Sequence, residues 1–300
     1  MENTVRIAAD IAAPELWYPS GYGEQPLYTL IVTTGEEEKR IRFGIRKVVV
    51  MEPEDEPGSQ DAKLAEAIRQ NDFLKPFDKN EGSSPFWVVV NGVRVFCQGA
   101  NWVPCEPFPS EETPEKIRRL ITLAKEGRLN MLRVWGGGIF ERPEFYEACD
   151  EAGILVTQDF LMACGSYPEE DEDFRRLLSE EARSAACALR NHPCLVWWSG
   201  DNENAVWGDE NMSDYSGRRA ALECIAPVLR ETDPRRPFLP SSPYGGSTYG
   251  SATRGTTHNT LFLGDIFAWI RKNEWKDYIT YLDRFLSRFN AEQPALGMPF

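Results

Sequence analysis

From residue 113 onward, short apolar runs alternate with segments of helical period, and this alternation restricts the possible folds more than any other feature of the chain. Thr113 and Pro114 supply a capping residue and a proline at the first helical position, Ile117, Leu120, Ile121 and Ala124 repeat at helical spacing, and Gly127 marks the stop. Asn130–Trp135 reads as a strand, Pro143 opens a second helix that Gly153 closes, and Ile154–Phe160 is the next strand. A helix over Phe174–Arg190, a strand over Cys194–Ser199, a helix over Gly217–Glu231 and a strand over Arg236–Ser242 continue the series. Apolar strands separated by helices imply a parallel sheet covered on its outer face, either a (β/α) barrel or a doubly wound sheet. The polar residues favour the barrel. Asn101, Trp135, Asp159, Asn202 and Glu203 each fall at or just past the C-terminal end of an expected strand, the rim on which barrel active sites are built. No glycine-rich phosphate loop follows the first strand, and Gly136-Gly137-Gly138 lacks the Lys-Ser/Thr that would open such a helix. The expected fold class is α/β, a (β/α)8 TIM-type barrel.

The segment before it has a different character. Leu27–Thr34 and Ile41–Val50 are rich in β-branched residues and flank Gly35–Glu38. Two strands are marginal alone in water, so residues 1–51 read as the C-terminal strands of a β-sandwich whose beginning lies outside the chain. Residues 52–84 are acidic and polar, a linker or insertion with a short helix over Asp61–Gln70. Phe86–Val90 and Val93–Gln98 form a hairpin across Asn91-Gly92, a pair suited to the positive φ of a type I′ turn. Residues 85–300 are then the catalytic barrel.

Composition removes several functional classes. The 300 residues carry 33 Lys and Arg against 47 Asp and Glu, a net charge of −14, which disfavours a nucleic-acid partner. No apolar run reaches the length of a membrane span. Seven cysteines without a CxxC pair, and a Met1–Asp10 segment without signal-peptide character, favour reduced thiols and a cytoplasmic location. His192 and His258 are far apart in sequence, so no metal-ligand cluster is expected. The 12% of aromatic residues suits a large core or the stacking of sugars.

The best candidate for chemistry is Trp197–Asn204, at the end of an apolar strand. Glycoside hydrolysis needs a proton donor to the leaving oxygen and a second carboxylate across the sugar ring. Glu203 fits the donor, and Asn202 beside it can hydrogen-bond a sugar 2-hydroxyl. Glu292, in Arg288–Glu292, is the candidate second carboxylate; two barrel strands could bring the pair to the ~5–5.5 Å of a retaining mechanism. Trp135 offers an apolar face to sugar C–H bonds, and Asp159 can accept two hydroxyl protons. By spacing alone these residues read equally as a solvated Asn-Glu loop, a surface Glu, a core Trp and a strand-capping Asp.

The runs Gln98–Pro104, Asn130–Gly138, Glu144–Leu155 and Gln158-Asp159-Phe160 resemble the β-mannosidase branch of glycoside hydrolase family 2. Leu16–Leu30 is similar to the end of that family's immunoglobulin-like sandwich, and the likeness covers most of 15–50 and 86–207, thinning toward 292. The resemblance implies a retaining exo-β-mannosidase acting on a terminal β-D-mannosyl residue of an oligosaccharide or glycoside, with neither metal nor organic cofactor. It implies Glu203 as general acid/base, Glu292 as nucleophile, Asn202 on the axial 2-hydroxyl, Trp135 and Asp159 lining the terminal-sugar subsite, and Asn101 on the rim. His258 resembles a family histidine that precedes an aromatic pair, although Asn259-Thr260 follows it here. Asp201 stands where the family usually has Asn and, if ionised, would raise the pKa of Glu203. Ala291 occupies a usual Ser position, and a shifted frame would put Ser287-Arg288 in the place of the nucleophile pair. Only Gln293–Phe300 follows Glu292, so the expected barrel lacks its last βα unit. The rival readings are a related exo-β-glucosaminidase or β-galactosidase, and a carbohydrate-binding fragment without catalysis.

Overall fold

The computed structural model of the chain describes residues 7–72, 74, 82–207, 214–245, 251–258, 272 and 286–292. Its centre is a parallel five-stranded sheet of β6 (Gly99–Trp102), β7 (Met131–Val134), β8 (Leu155–Asp159), β9 (Leu195–Ser199) and β10 (Phe238–Leu239). Neighbours in the sheet follow chain order without a reversal, from β6 through to β10. A doubly wound sheet would show a switch point; sequential order is the barrel pattern. Among the described residues the sheet does not close, and β11 (Thr257–His258) and β12 (Asn290–Glu292) form a separate parallel pair. Residues 259 and 260 and those after Glu292, which bear on the sequence departures and on the missing unit, lie outside the described residues.

Every residue of β7, β8 and β9 is buried, which explains their almost unbroken apolar runs. The helices between them end where their sequences require. In α2 (Pro114–Glu126) the Thr113 hydroxyl accepts from Lys116 N, and Gly127 N returns to Leu123 O. Helix α3 (Pro143–Ala152) stops at Gly153, whose φ of 75° is the left-handed region that glycine tolerates. Asp171 caps α4 (Glu172–Leu189) by accepting from Asp173 N and Phe174 N. The expected helix over Gly217–Glu231 is present, but its first half is π-helical over Ala220–Ile225 before it continues as α5 (Ala226–Thr232). Pro227 supplies no N–H, and the preceding turn widens so that Ala226 N reaches Ala221 O.

The N-terminal segment contains β1 (Tyr28–Thr34) and β2 (Glu37–Phe43), an antiparallel ribbon. The strand expected over Ile41–Val50 is broken. After Gly44, Arg46 turns toward the start of β9 and donates to Pro193 O at 3.0 Å and Leu195 O at 2.6 Å. A side chain on residue 44 would meet the Pro193 ring at 2.8 Å, so this crossing needs glycine. The chain resumes as β3 (Val48–Met51), which pairs with the hairpin of β4 (Trp87–Val90) and β5 (Val93–Val95). The expected short helix is present as α1 (Gln60–Gln70).

Buried Trp17 joins these layers: its indole donates to Asp150 O at 2.9 Å, and its carbonyl accepts from Asn91. Asp150, at the end of α3, also takes His192 Nδ1 at 2.6 Å and Cys194 N at 3.0 Å, which fixes the entry to β9 and gives His192 a structural role. No helix among the described residues is long and apolar enough to cross a membrane.

Candidate active site

Arg133 is the hub of the C-terminal rim. It lies on β7 in register with Asn101 on β6, and its side chain is 7% exposed. Nη1 donates to Asn101 Oδ1 and Glu292 Oε2, both at 2.9 Å. Nη2 donates to Asp159 Oδ2 at 2.6 Å and Asn202 Oδ1 at 2.7 Å. One planar donor therefore aligns acceptors from β6, β8, the loop after β9 and β12, a task suited to the fixed fork of guanidinium. Burial opposes its charge, but the carboxylates of Asp159 and Glu292 outweigh burial and hold its pKa above the ordinary value.

Glu203 sits in the loop after β9 with a φ of 61°, a left-handed conformation uncommon for a residue with a side chain. Its backbone is held there because Glu203 N donates to Ser242 O at 2.7 Å, while Asn202 N donates to Met162 O at 2.9 Å. The carboxylate is gripped at both oxygens. His258 Nδ1 is 2.8 Å from Oε1, and the Cys164 thiol donates to Oε2 at 3.3 Å. The other ring nitrogen of His258 meets the Ser242 hydroxyl at 2.8 Å. His258 is almost completely buried, and burial, aided by the charge of Arg133, lowers its pKa despite the opposing carboxylates. A neutral ring donates from Nδ1 to Glu203 and accepts from Ser242 at Nε2.

Glu292 completes the group. Its Oε2 lies 3.7 Å from His258 Nδ1, and one oxygen each of Glu203 and Glu292, with a ring nitrogen of His258, lie within 4.8 Å of one another. The proximity of these three groups is hidden by the sequence distances from Glu203 to His258 and Glu292. The side chains of Glu203 and Glu292 are 16% and 22% exposed, so both reach solvent from a well-packed base. Nearby, Arg288 is buried and donates to Asp61 O at 2.7 Å and Ser83 Oγ at 2.8 Å. Phe289 packs edge-on against Phe86 and Trp197. These anchors set the frame in which Glu292, and not the Ser287-Arg288 pair, points at Arg133.

The remaining candidates are sorted by burial. Trp135 is half-buried and Asn101 is exposed, both at the rim. Asp159 is fully buried, with Oδ2 taken by Arg133 and, at 3.2 Å, by Gly136 N; it braces Arg133 from behind where the sequence suggested sugar contact. Asn202 is 1% exposed, and its amide nitrogen donates to Cys164 Sγ at 3.3 Å. The glycine run is steric in origin. A Cβ on residue 136 would lie 2.7 Å from both Met162 O and Phe160 O, and one on residue 137 would lie 2.1 Å from the Trp135 ring. Asp201 is fully buried and turned toward Ser241, and burial pushes its pKa up to about 8. A carboxyl with that pKa is mostly neutral at pH 7, so the expected charge beside Glu203 is largely absent.

Arg133, Cys164 and Ser242 are the residues that sequence reasoning passed over. Arg133 did leave a signal, because a charged residue inside an apolar strand bound for burial requires partners.

No family model matches the sequence. Curated relatives include β-mannosidase B of Emericella nidulans, 30% identical over 310 residues, and β-mannosidase B of Thermothelomyces thermophilus, 31% identical over 318 residues. Each match covers 97% of this chain and 33% of the relative, so the chain spans about a third of the length of these proteins. Among solved structures, the β-D-mannosidase from Dictyoglomus thermophilum is similar with a TM-score of 0.71 and 36% identity, over 92% of this chain and 31% of that one. The exo-chitosanase of Amycolatopsis orientalis shares the fold, with a TM-score of 0.58 at 18% identity over 81% of this chain and 26% of that one.

Proposed function

This chain is a relative of the β-mannosidases of glycoside hydrolase family 2 over nearly all its length, and from that kinship we propose that it carries the active site of a retaining exo-β-mannosidase. The observation that carries the reading is the approach of Glu203 and Glu292, with a carboxylate oxygen of each within 4.8 Å of the other. A retaining pair stands about 5–5.5 Å apart, whereas an inverting pair needs about 6.5–9.5 Å to admit water between the groups.

In this mechanism Glu292 attacks the anomeric carbon of a terminal β-D-mannosyl residue, and the glycosidic bond breaks as Glu203 passes its proton to the leaving oxygen. Glu203 then takes a proton from water, which attacks the anomeric carbon and releases mannose and the Glu292 carboxylate. Arg133 aims the attacking carboxylate by donating to its Oε2. Asn202, fixed through Oδ1 by Arg133, reaches the axial 2-hydroxyl once its amide turns from Cys164 Sγ to the sugar, and Trp135 and Asn101 form the rim of the subsite.

The test is release of nitrophenol from p-nitrophenyl β-mannoside, glucoside, galactoside and glucosaminide. Turnover of the mannoside, abolished in Glu292→Gly and restored by azide, is the expected result. Preference for the glucosaminide or galactoside would reassign the substrate. Binding of mannosides without turnover in a folded protein would replace catalysis by carbohydrate binding.

A further inference from the structure

Beneath the loop that carries Glu203 lies a buried polar cluster that the proposed reaction does not use. Asp201 and Asn204 are fully buried and Tyr215 is 7% exposed. Asp201 Oδ1 accepts from the Ser241 hydroxyl at 2.6 Å and from Asn204 N at 3.1 Å. Among the described residues its second oxygen has no hydrogen-bond partner, nor do Asn204 Nδ2 and the Tyr215 hydroxyl. Asp201 Oδ2 and Asn204 Nδ2 both border the position that a Cβ on Gly217 would occupy, at 3.1 and 2.7 Å. Gly217 has a φ of 93° and keeps that position open.

An ionised carboxylate in this place would hold one oxygen without a donor among the described residues and without a paired cation, which burial makes costly. The charged and titratable groups around it do not relieve this. Arg133 is committed to Asp159 and Glu292, and Asp159 repels a second negative charge. Tyr215 and Glu169 face the cluster from the adjoining segments, with Arg218 near Tyr215, and Glu169 already accepts from Gly217 N and Ala220 N.

The cluster is coupled to the site by a short chain of contacts. Asp201 holds Ser241 by its side chain and Ser242 by its carbonyl, which accepts from Ser242 N at 3.0 Å. Ser242 in turn holds Glu203 N with its carbonyl and His258 with its hydroxyl. We propose that Asp201 is a positioning residue that works as a neutral carboxylic acid, fixing Ser241 and Ser242 so that His258 and Glu203 keep their alignment, and that its ionisation releases that alignment.

The kinetic consequence rests on the glycosidase reading; the protonation state does not. Burial raises the pKa of Asp201 to about 8, so its contribution to stability is fully present below the unfolded value and is lost progressively up to about pH 8. The experiment compares the chain with Asp201→Asn and Ser241→Ala, following thermal midpoints and mannoside turnover between pH 4 and pH 9.5. Relative to the parent, Asp201→Asn should gain stability steadily as the pH rises and level off near 8. Its activity should persist at least threefold better than the parent's above that pH. Ser241→Ala, which removes a donor to Oδ1, should move the parent's alkaline loss upward. A pH-independent difference in midpoint overturns the proposal, as does an alkaline limb that neither variant moves. Absence of turnover in every form, with the stability pattern intact, would count against the glycosidase reading and leave the neutral acid standing. If Asp201→Asn does not fold, the Ser241→Ala curve decides: an upward displacement supports the neutral acid, and none rejects it.

Discussion

Arg133 Nη1 stands 2.9 Å from Glu292 Oε2, an ion pair between β7 and β12 made by a guanidinium that is 7% exposed. The pair joins the central sheet to a strand more than a hundred residues further along the chain. Because the same guanidinium holds Asp159 and Asn202, its loss would leave several acceptors unmatched inside the protein. Removing one partner of such a buried pair costs about 3–5 kcal/mol. Arg133→Met is expected to lower the denaturation midpoint accordingly and to reduce kcat at least a hundredfold. Arg133→Lys should recover part of the stability and little of the activity, since an ammonium cannot present four donors in one plane. Urea denaturation and steady-state kinetics on both variants check this.

His258 gives a prediction in acid. Its pKa is lowered, chiefly by burial, below the ordinary histidine value. A histidine held neutral in the fold contributes stability that is present above the unfolded pKa and is lost as the pH falls through it toward the folded value. The thermal midpoint should therefore fall faster below about pH 6.5 than in His258→Gln, which keeps a donor without a proton to gain. Parallel curves for the two proteins would show that His258 does not titrate in this window.

How much of this was legible in the sequence depended on where each constraint lay. The strand end at Asp159 was readable because period and caps are local, and α2 and α3 begin and end at their Pro and Gly residues, whereas β6, which carries Asn101, was not read as a strand separate from Val93–Gln98. Glu292 could be selected only by pairing it with Glu203 through a family pattern, because its position depends on Arg288 and Phe289 being anchored on distant parts of the chain. The break at Gly44 and the π-turn before Pro227 escaped because both answer to packing: one to Pro193, the other to a missing N–H within a continuous helix. The contact between His258 and Glu203 is invisible at a separation of 55 residues.

Cys164 touches both Glu203 and Asn202, and burial followed by the carboxylate of Glu203 raises its pKa to about 11. At neutral pH it is a thiol and a hydrogen-bond donor to Glu203, so alkylation by iodoacetamide should be slow although the residue is exposed. Cys164→Ala removes one donor from the proposed acid/base and should reduce kcat roughly three- to tenfold, consistent with a hydrogen bond worth about 1 kcal/mol. Cys164→Ser should retain more activity than the alanine variant. Equal kcat values for parent and alanine variant would remove the thiol from the alignment of Glu203.

Gly137 tests whether the rim aromatic is placed by its neighbour. A methyl group there would lie 2.1 Å from the ring of Trp135, inside any attainable contact, so Gly137→Ala must displace the indole or the backbone. Overpacking of this kind costs typically about 1–3 kcal/mol. At the open rim the ring has room to rotate toward solvent, so the cost in folding should lie at the low end of that range. The loss should fall instead on sugar binding, as a several-fold rise in KM for the mannoside with kcat changed less, because the carboxylate pair and Arg133 are held by other elements. Gly136→Ala should behave differently. Its Cβ would meet two backbone carbonyls that cannot rotate away, and its N–H supports Asp159 behind Arg133, so stability and kcat should fall together. Comparing KM, kcat and denaturation midpoints for the two single substitutions separates an aromatic sugar platform from a purely structural tryptophan: for the latter, KM would be unchanged in Gly137→Ala.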